Sequence, residues 1–396
     1  MLLPSTFYDI RKKQVSSMYE AIAQDVDSLR QGGCSSPVPD LDSYPSRFSQ
    51  IWDAECRRLI EFVAREQHVS IAQVLRSAEQ DSETRNVLEW QERAMACEYY
   101  PVLNFELFGA KTFYLQDDLV QQLACTEMNV VAPLLQLPFP ACMFVLTSRD
   151  AIDALYHIHF ATIPAVKQRA FVDYKSPVSV FLILCEPNAE QPFRHLEIVA
   201  FHANQEEVHM TVKRSLCLAD NLTLNEALTT DWVNVDKNLY KQRTRWDYEN
   251  GWNSVSDDIF YGDGLLFFRI VLNAVLYLSS ADADVEQRPS ELEGLQERLA
   301  AISSSVKRRE MKQAARHASR LPYIVVGKSI SGPDKGEMLS PLLGEKRKLS
   351  FRFTVRGHWK NQACGVGMKD HVLRFIKPYN KGPEMADVIN KPYLVR

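Results

Sequence analysis

Apolar residues recur at helical spacing through the first hundred positions. Val15, Met18, Ile22, Val26 and Leu29 fall three or four apart, which gathers them on one face of a helix. Gly32, Gly33, Pro37 and Pro39 end it. A second helix is predicted from about Ser46, carrying Trp52, Leu59, Ile60 and Val63. Further helical patterns run through Ile71, Val74 and Leu75, then Val87, Leu88 and Met95. From about Pro133 the period shortens. Cys142 to Thr147, Val178 to Cys185, Leu196 to Phe201 and Val208 to Val212 are short apolar or β-branched runs bounded by turn residues, and they read as strands. The last two, joined by the polar stretch His202 to Glu207, predict a hairpin, with a short helix over Asp150 to Ile158 beside it.

Leu265 to Leu278 is apolar on nearly every side, broken only by Arg269 and Asn273. It falls short of the roughly 20 residues that a membrane span needs, so it reads as a buried helix. After Pro289, the residues Leu292, Leu295, Leu299, Ile302 and Val306 repeat at alternating spacings of three and four, which predicts the second member of an antiparallel helical pair. The tail alternates again, with strands expected over Tyr323 to Val326, Leu349 to Val355 and Val372 to Ile376, and a long polar loop from Gly327 to Lys348. The pattern predicts an α+β protein in four regions: a mainly helical N-terminal region (1–130), a mixed α/β middle domain (131–255), a helical pair (256–320) and a small basic β-rich C-terminal domain (321–396).

Composition adds compartment and charge. With 46% hydrophobic and 24% charged residues over 396 positions, the chain has the make-up of a globular protein with a sizeable core. Its eight cysteines are scattered with no C-x-x-C, which excludes a zinc knuckle or thioredoxin motif and suggests reduced thiols in the cytoplasm. The N-terminus turns polar within a few residues, so no secretory signal is expected. The formal charge of −4 hides an asymmetry. After Val306 there are 20 basic and 7 acidic residues, and the rest of the chain is acidic in excess. Such a separation suits a polyanion at one end and a neutral or cationic partner elsewhere, although a solvated helix and tail would give the same count.

Candidate chemistry concentrates at the C-terminal end. No Walker A, G-x-G-x-x-G or G-x-S-x-G sequence is present, which leaves NTPase, dinucleotide and α/β-hydrolase chemistry without support. His157 and His159 lack a third ligand, and His202 and His209 lack the i, i+4 pairing of the H-E-x-x-H motif, so neither a metal nor a cofactor is expected. Trp232, Trp246 and Trp252 lie among lysines and arginines in a ring-dense segment that suits either a binding surface or core packing. Around the Gly365 to Gly367 connection a β-hairpin is predicted. Arg356, His358, Trp359, Lys360, Gln362, Lys369, Lys377 and Lys381 bring cations, a ring platform and an amide to it, the mixture that holds a nucleic-acid backbone and stacks on a base. His358 and His371 are candidates for an acid/base pair in RNA cleavage, while Trp359 as a core plug is the structural alternative.

Val355-Arg-Gly-His-Trp-Lys-Asn-Gln, Gly365, Gly367 and Ile376-Lys-Pro-Tyr-Asn-Lys-Gly-Pro-Glu together resemble a C-terminal signature of phage- and plasmid-borne proteins. The chain looks most like the type V-A anti-CRISPR family, whose members lower production of the CRISPR effector nuclease. The match covers about 40 of 396 positions. The resemblance implies recognition of the effector's N-terminal peptide as it leaves the ribosome, coupled to loss of its message in the bacterial cytoplasm. It carries over Gly357, His358, Trp359, Gln362, Lys377, Pro378, Lys381 and Gly382 as motif positions, without a catalytic role for any of them. Where the motif is richer in arginine, this chain has Lys360 and the apolar Ala363 and Cys364. An endoribonuclease or RNA-binding protein of a mobile element is the competing reading, and a structural or assembly protein of such an element is a third.

Overall fold

The computed structural model describes residues 6–41, 46–149, 151–155, 177–188, 192–203, 208–229, 257–290, 321–330 and 353–381, except 81 and 153, with short pieces between 295 and 309. Five helices open the chain: α1 (Phe7–Gln14), α2 (Ser16–Gln31), α3 (Phe48–Glu66), α4 (Ile71–Gln80) and α5 (Ser82–Leu107). The α1 start is fixed by a reciprocal capping box. The Thr6 hydroxyl accepts from the Asp9 amide, and the Asp9 carboxylate accepts from the Thr6 amide.

Seven strands then form one mixed sheet: β1 (Thr112–Leu115), β2 (Ala141–Leu146), β3 (Val178–Cys185), β4 (His195–Ala203), β5 (Val208–Cys217), β6 (Val285–Arg288) and β7 (Tyr323–Val326). Their order is β5-β4-β3-β2-β1-β7-β6. β1 runs parallel to both β2 and β7, and the other neighbours are antiparallel. Each of the four regions expected from sequence contributes a strand to this sheet.

Helices cover both faces. On one side Tyr114, Met143, Val145, Phe181, Val199, Phe201 and Val325 pack with residues of α1, α2 and α5. Phe7 stacks on Phe201 at 4.2 Å, and its amide donates to the Ser179 hydroxyl at 3.2 Å, which docks α1 on the sheet. On the other side Phe113, Leu115, Phe144, Leu146, Val180 and Leu182 pack with α6 (Asp117–Ala124) and α7 (Asp257–Ser279). Double coverage explains why β2 and β3 are buried along their whole length and read as continuous apolar runs.

The C-terminal strands are β8 (Phe353–Val355), β9 (His358–Cys364), β10 (Asp370–Ile376) and β11 (Tyr379–Lys381). The expected hairpin is present as β9 and β10, antiparallel, with Cys364 opposite Asp370 and His358 opposite Ile376. The expected buried helix is α7. The expected helix after Pro289 falls mostly outside the described residues, as does the 230–256 segment with Trp232, Trp246 and Trp252. Among the described residues no helix is long and apolar enough to cross a membrane.

Candidate functional site

The residues singled out at the C-terminal end belong to one long hairpin with a joint in its middle. β8 pairs with β11 through Val355 and Tyr379, and β9 pairs with β10 from His358 and Ile376 onward. Between the two ladders lie Arg356 and Gly357 on one side, and Lys377 and Pro378 on the other. Proline has no N–H to give a ladder, so the pairing breaks at this point. Gly357 pairs with the body instead. Its amide donates to the Cys125 carbonyl at 3.1 Å, and its carbonyl accepts from the Glu127 amide at 2.9 Å, a parallel bridge beside Thr126. A Cβ at Gly357 would lie 2.5 Å from the Thr126 hydroxyl, 3.0 Å from Pro378 Cδ and 3.1 Å from the Ile376 carbonyl. Only glycine allows so close an approach.

The second anchor is Trp359. Of the two readings the sequence left open, a stacking platform and a core plug, the structure shows the plug: the indole is only 8% exposed and sits in the core on the α7 side of the sheet. Its Nε1 donates to Asn273 Oδ1 at 2.8 Å, and its ring lies 5.0 Å from that of Phe375. Asn273 Nδ2 in turn donates to the carbonyls of Leu123 at 2.9 Å and Thr126 at 3.0 Å. A single buried amide on α7 thus ties β9 to the end of α6. Sequence reading noticed Asn273 only as an interruption of an apolar run, and that interruption was the available signal.

A third contact comes from the loop after α7. The Asp282 carboxylate accepts from the Phe375 amide at 2.9 Å and from the Arg374 guanidinium at 2.8 Å, and the Ala281 amide donates to the Leu373 carbonyl at 3.1 Å. Asp282 and Arg374 were not anticipated from sequence.

The other candidates on the hairpin are exposed to solvent. Strand alternation puts His358, Lys360 and Gln362 of β9 on one face with Arg374 of β10. All four are exposed, whereas Trp359 and Phe375 on the opposite face are buried. Lys377 and Lys381 are exposed as well. Arg356 lies 3.7 Å from Glu127, with both side chains close to half exposed. Beside this pair, burial on α7 and the nearby Arg356 charge pull the Arg269 guanidinium below its usual range, against the attraction of Cys125 and Glu127. His358 and His371 are not brought together. They stand opposite Ile376 and Ala363, five positions apart along the hairpin and on opposite faces, or about 16 Å at 3.3 Å per residue. That separation removes them as a direct acid/base pair. Among the described residues no group of three or more His, Cys, Asp or Glu side chains is arranged to hold a metal ion.

What this arrangement offers chemically is a rigidly anchored, cationic two-stranded arm. The model of the family described as AcrVA2-like, anti-CRISPR type V subtype A2, matches residues 113–380, from the second residue of β1 to β11. A search of curated proteins gives no match. Among solved structures, the crystal structure of AcrVA2 aligns over 93% of this chain and 95% of that one, with 11% identity and a TM-score of 0.37, a likeness too low to carry an argument about the site. The family match spans about two thirds of the sequence, and on that extent the chain belongs to the anti-CRISPR type V subtype A2 family.

Proposed function

We propose that this anti-CRISPR protein lowers production of a type V-A CRISPR effector nuclease by recognising the effector's N-terminal peptide as it emerges from the ribosome and coupling that recognition to loss of the message. The family match over residues 113–380 carries the reading, since it takes in the sheet, α7 and the anchored hairpin together. The charge division supports it. An acidic body suits a basic nascent peptide, and the basic C-terminal region suits ribosomal or messenger RNA. The acidic part of the chain before Val306, together with the segment that carries Trp232, Trp246 and Trp252, is the proposed peptide-facing part. The protein would act in the cytoplasm of the bacterial host, without a cofactor.

Two effector reporters test this in cells with and without the protein. One has its first codons recoded synonymously, and the other has them recoded to change the peptide. The message should fall for the synonymous reporter and persist for the peptide-changed one. Equal message levels for both reporters, with and without the protein, overturn the proposal.

A further inference from the structure

The turn joining β9 and β10 carries two apolar side chains that contribute nothing to the core. Val366 is 96% exposed and Met368 is 71% exposed. The turn itself is well determined. Met368 donates its amide to the Gly365 carbonyl at 3.2 Å, Gly367 has the φ of 72° and ψ of 18° of the third position of a type II turn, and Gly365 leaves no room for a Cβ beside Asp370. Met368 nevertheless has a φ of 56°, a left-handed conformation that favours glycine. A long apolar side chain held in water on a disfavoured backbone gives the fold no benefit, and such positions point to contact with a partner.

The partner's chemistry follows from the surroundings. From Arg356 to Lys381 there are six basic residues and one acidic, Asp370. Among the described residues, Lys360 and Lys369 form no ion pair. The exposed face adds the His358 ring and the Gln362 amide, which suit bases better than lipid. Two apolar side chains are far too little surface for a stable protein interface but enough to pack against the apolar face of an unstacked base. A two-stranded arm does not enter the deep, narrow major groove of duplex RNA.

We propose that the solvent face and tip of the β9–β10 hairpin bind single-stranded RNA, with Lys360 and Lys369 on phosphates and Val366 and Met368 against unstacked bases. This deepens the RNA contact in the function proposed above and rests on it for the RNA's identity, whereas the binding itself is a property of the purified chain.

Fluorescence anisotropy of the full chain with a labelled mixed-sequence RNA single strand tests it, with duplex RNA and anionic lipid vesicles as the other probes. The single strand should bind best. Val366→Ser with Met368→Gly should weaken it about tenfold at an unchanged salt slope. Lys360→Gln with Lys369→Gln should flatten the slope of log affinity against log salt by about 1.4, at roughly 0.7 per phosphate contact. Met368→Gly alone should hold or raise the unfolding midpoint, where a structural role would lower it. The proposal is overturned if the single strand fails to bind at low salt, if both double variants bind like wild type, or if vesicles bind in place of RNA. RNA binding together with reporters insensitive to the peptide would remove the proposed function and leave this surface standing. Peptide-dependent message loss without RNA binding would do the reverse.

Discussion

Asn273 bears more of the hairpin's attachment than any of the charged residues around it. It is fully buried, and its amide satisfies one indole N–H and two carbonyls that have moved away from water. Asn273→Leu keeps the size but takes the partner from the indole N–H and the Thr126 carbonyl, while the Leu123 carbonyl still accepts from the Thr126 amide at 3.1 Å. At roughly 1–3 kcal/mol for each buried group left unsatisfied, a loss of about 3 kcal/mol is expected. Urea unfolding measures it, and a loss under about 1 kcal/mol would mean that water takes over the amide's role. Gly357→Ala works through space instead. Its new methyl meets the Thr126 hydroxyl at 2.5 Å and a backbone carbonyl at 3.1 Å, so the bridge must shift. Overpacking of this kind costs about 1–3 kcal/mol. The expected signature is a lower midpoint with faster amide exchange at Glu127, whose N–H bonds to the Gly357 carbonyl. Exchange unchanged at Glu127 would contradict the bridge.

At the scale of elements, the hairpin is held at its root by Gly357 and Trp359, and along β10 by Asp282. Asp282→Ala removes the acceptor for the Phe375 amide and the partner of Arg374. Both side chains of the ion pair are more than a third exposed, so the ionic part is discounted and the expected cost is about 1 kcal/mol. Hydrogen exchange should quicken most at Phe375, and the β2 and β3 amides should quicken only by the roughly fivefold that a 1 kcal/mol loss of global stability gives; unchanged exchange at Phe375 would show that the clamp contributes nothing. Elements with a strong period of their own were legible from sequence. α2, β3, β7 and the β9–β10 hairpin fall where apolar spacing and glycine put them. β1 was missed because its four residues are all buried, which erases alternation in a run too short to stand out. β6 was missed for the opposite reason. It is a polar edge strand in which Glu286 pairs with Arg288 and Lys328, charges that blunt a free edge without marking a strand. The partners of the hairpin's anchors were illegible because they are long-range. Nothing around Trp359 indicates an amide 86 positions earlier in the chain, and without that partner an indole among cations reads equally as a stacking surface or a core plug.

At the scale of the whole molecule, the hairpin's Trp359 and Phe375 share one core with Leu146 and Val180 of the sheet and with Val271 and Val275 of α7. Local loss at the joint should therefore be felt in the sheet interior, and the cysteines report it. Cys125 and Cys217 are exposed, whereas Cys142 and Cys185 are buried on β2 and β3. Burial pushes the Cys185 thiol up to about 11 despite the Tyr100 hydroxyl, and drives Cys142 well above the usual thiol range. The reactive species is the thiolate, so near neutral pH Cys125 and Cys217 should alkylate first, and Cys142 only through opening of the sheet. Mass spectrometry after a timed pulse of iodoacetamide resolves the four sites. If hairpin and sheet unfold together, Asn273→Leu should speed Cys142 labelling in proportion to its loss of stability, about a hundredfold for 3 kcal/mol at a tenfold change per 1.4 kcal/mol. Faster exchange in β9 and β10 with Cys142 labelling unchanged would instead make the hairpin a separable unit that opens while the sheet stays closed. An arm that reads RNA gains nothing from such independence, because its phosphate and base contacts depend on a fixed position relative to the body. Cooperative coupling through Asn273 and Trp359 is thus the result expected of a binding arm.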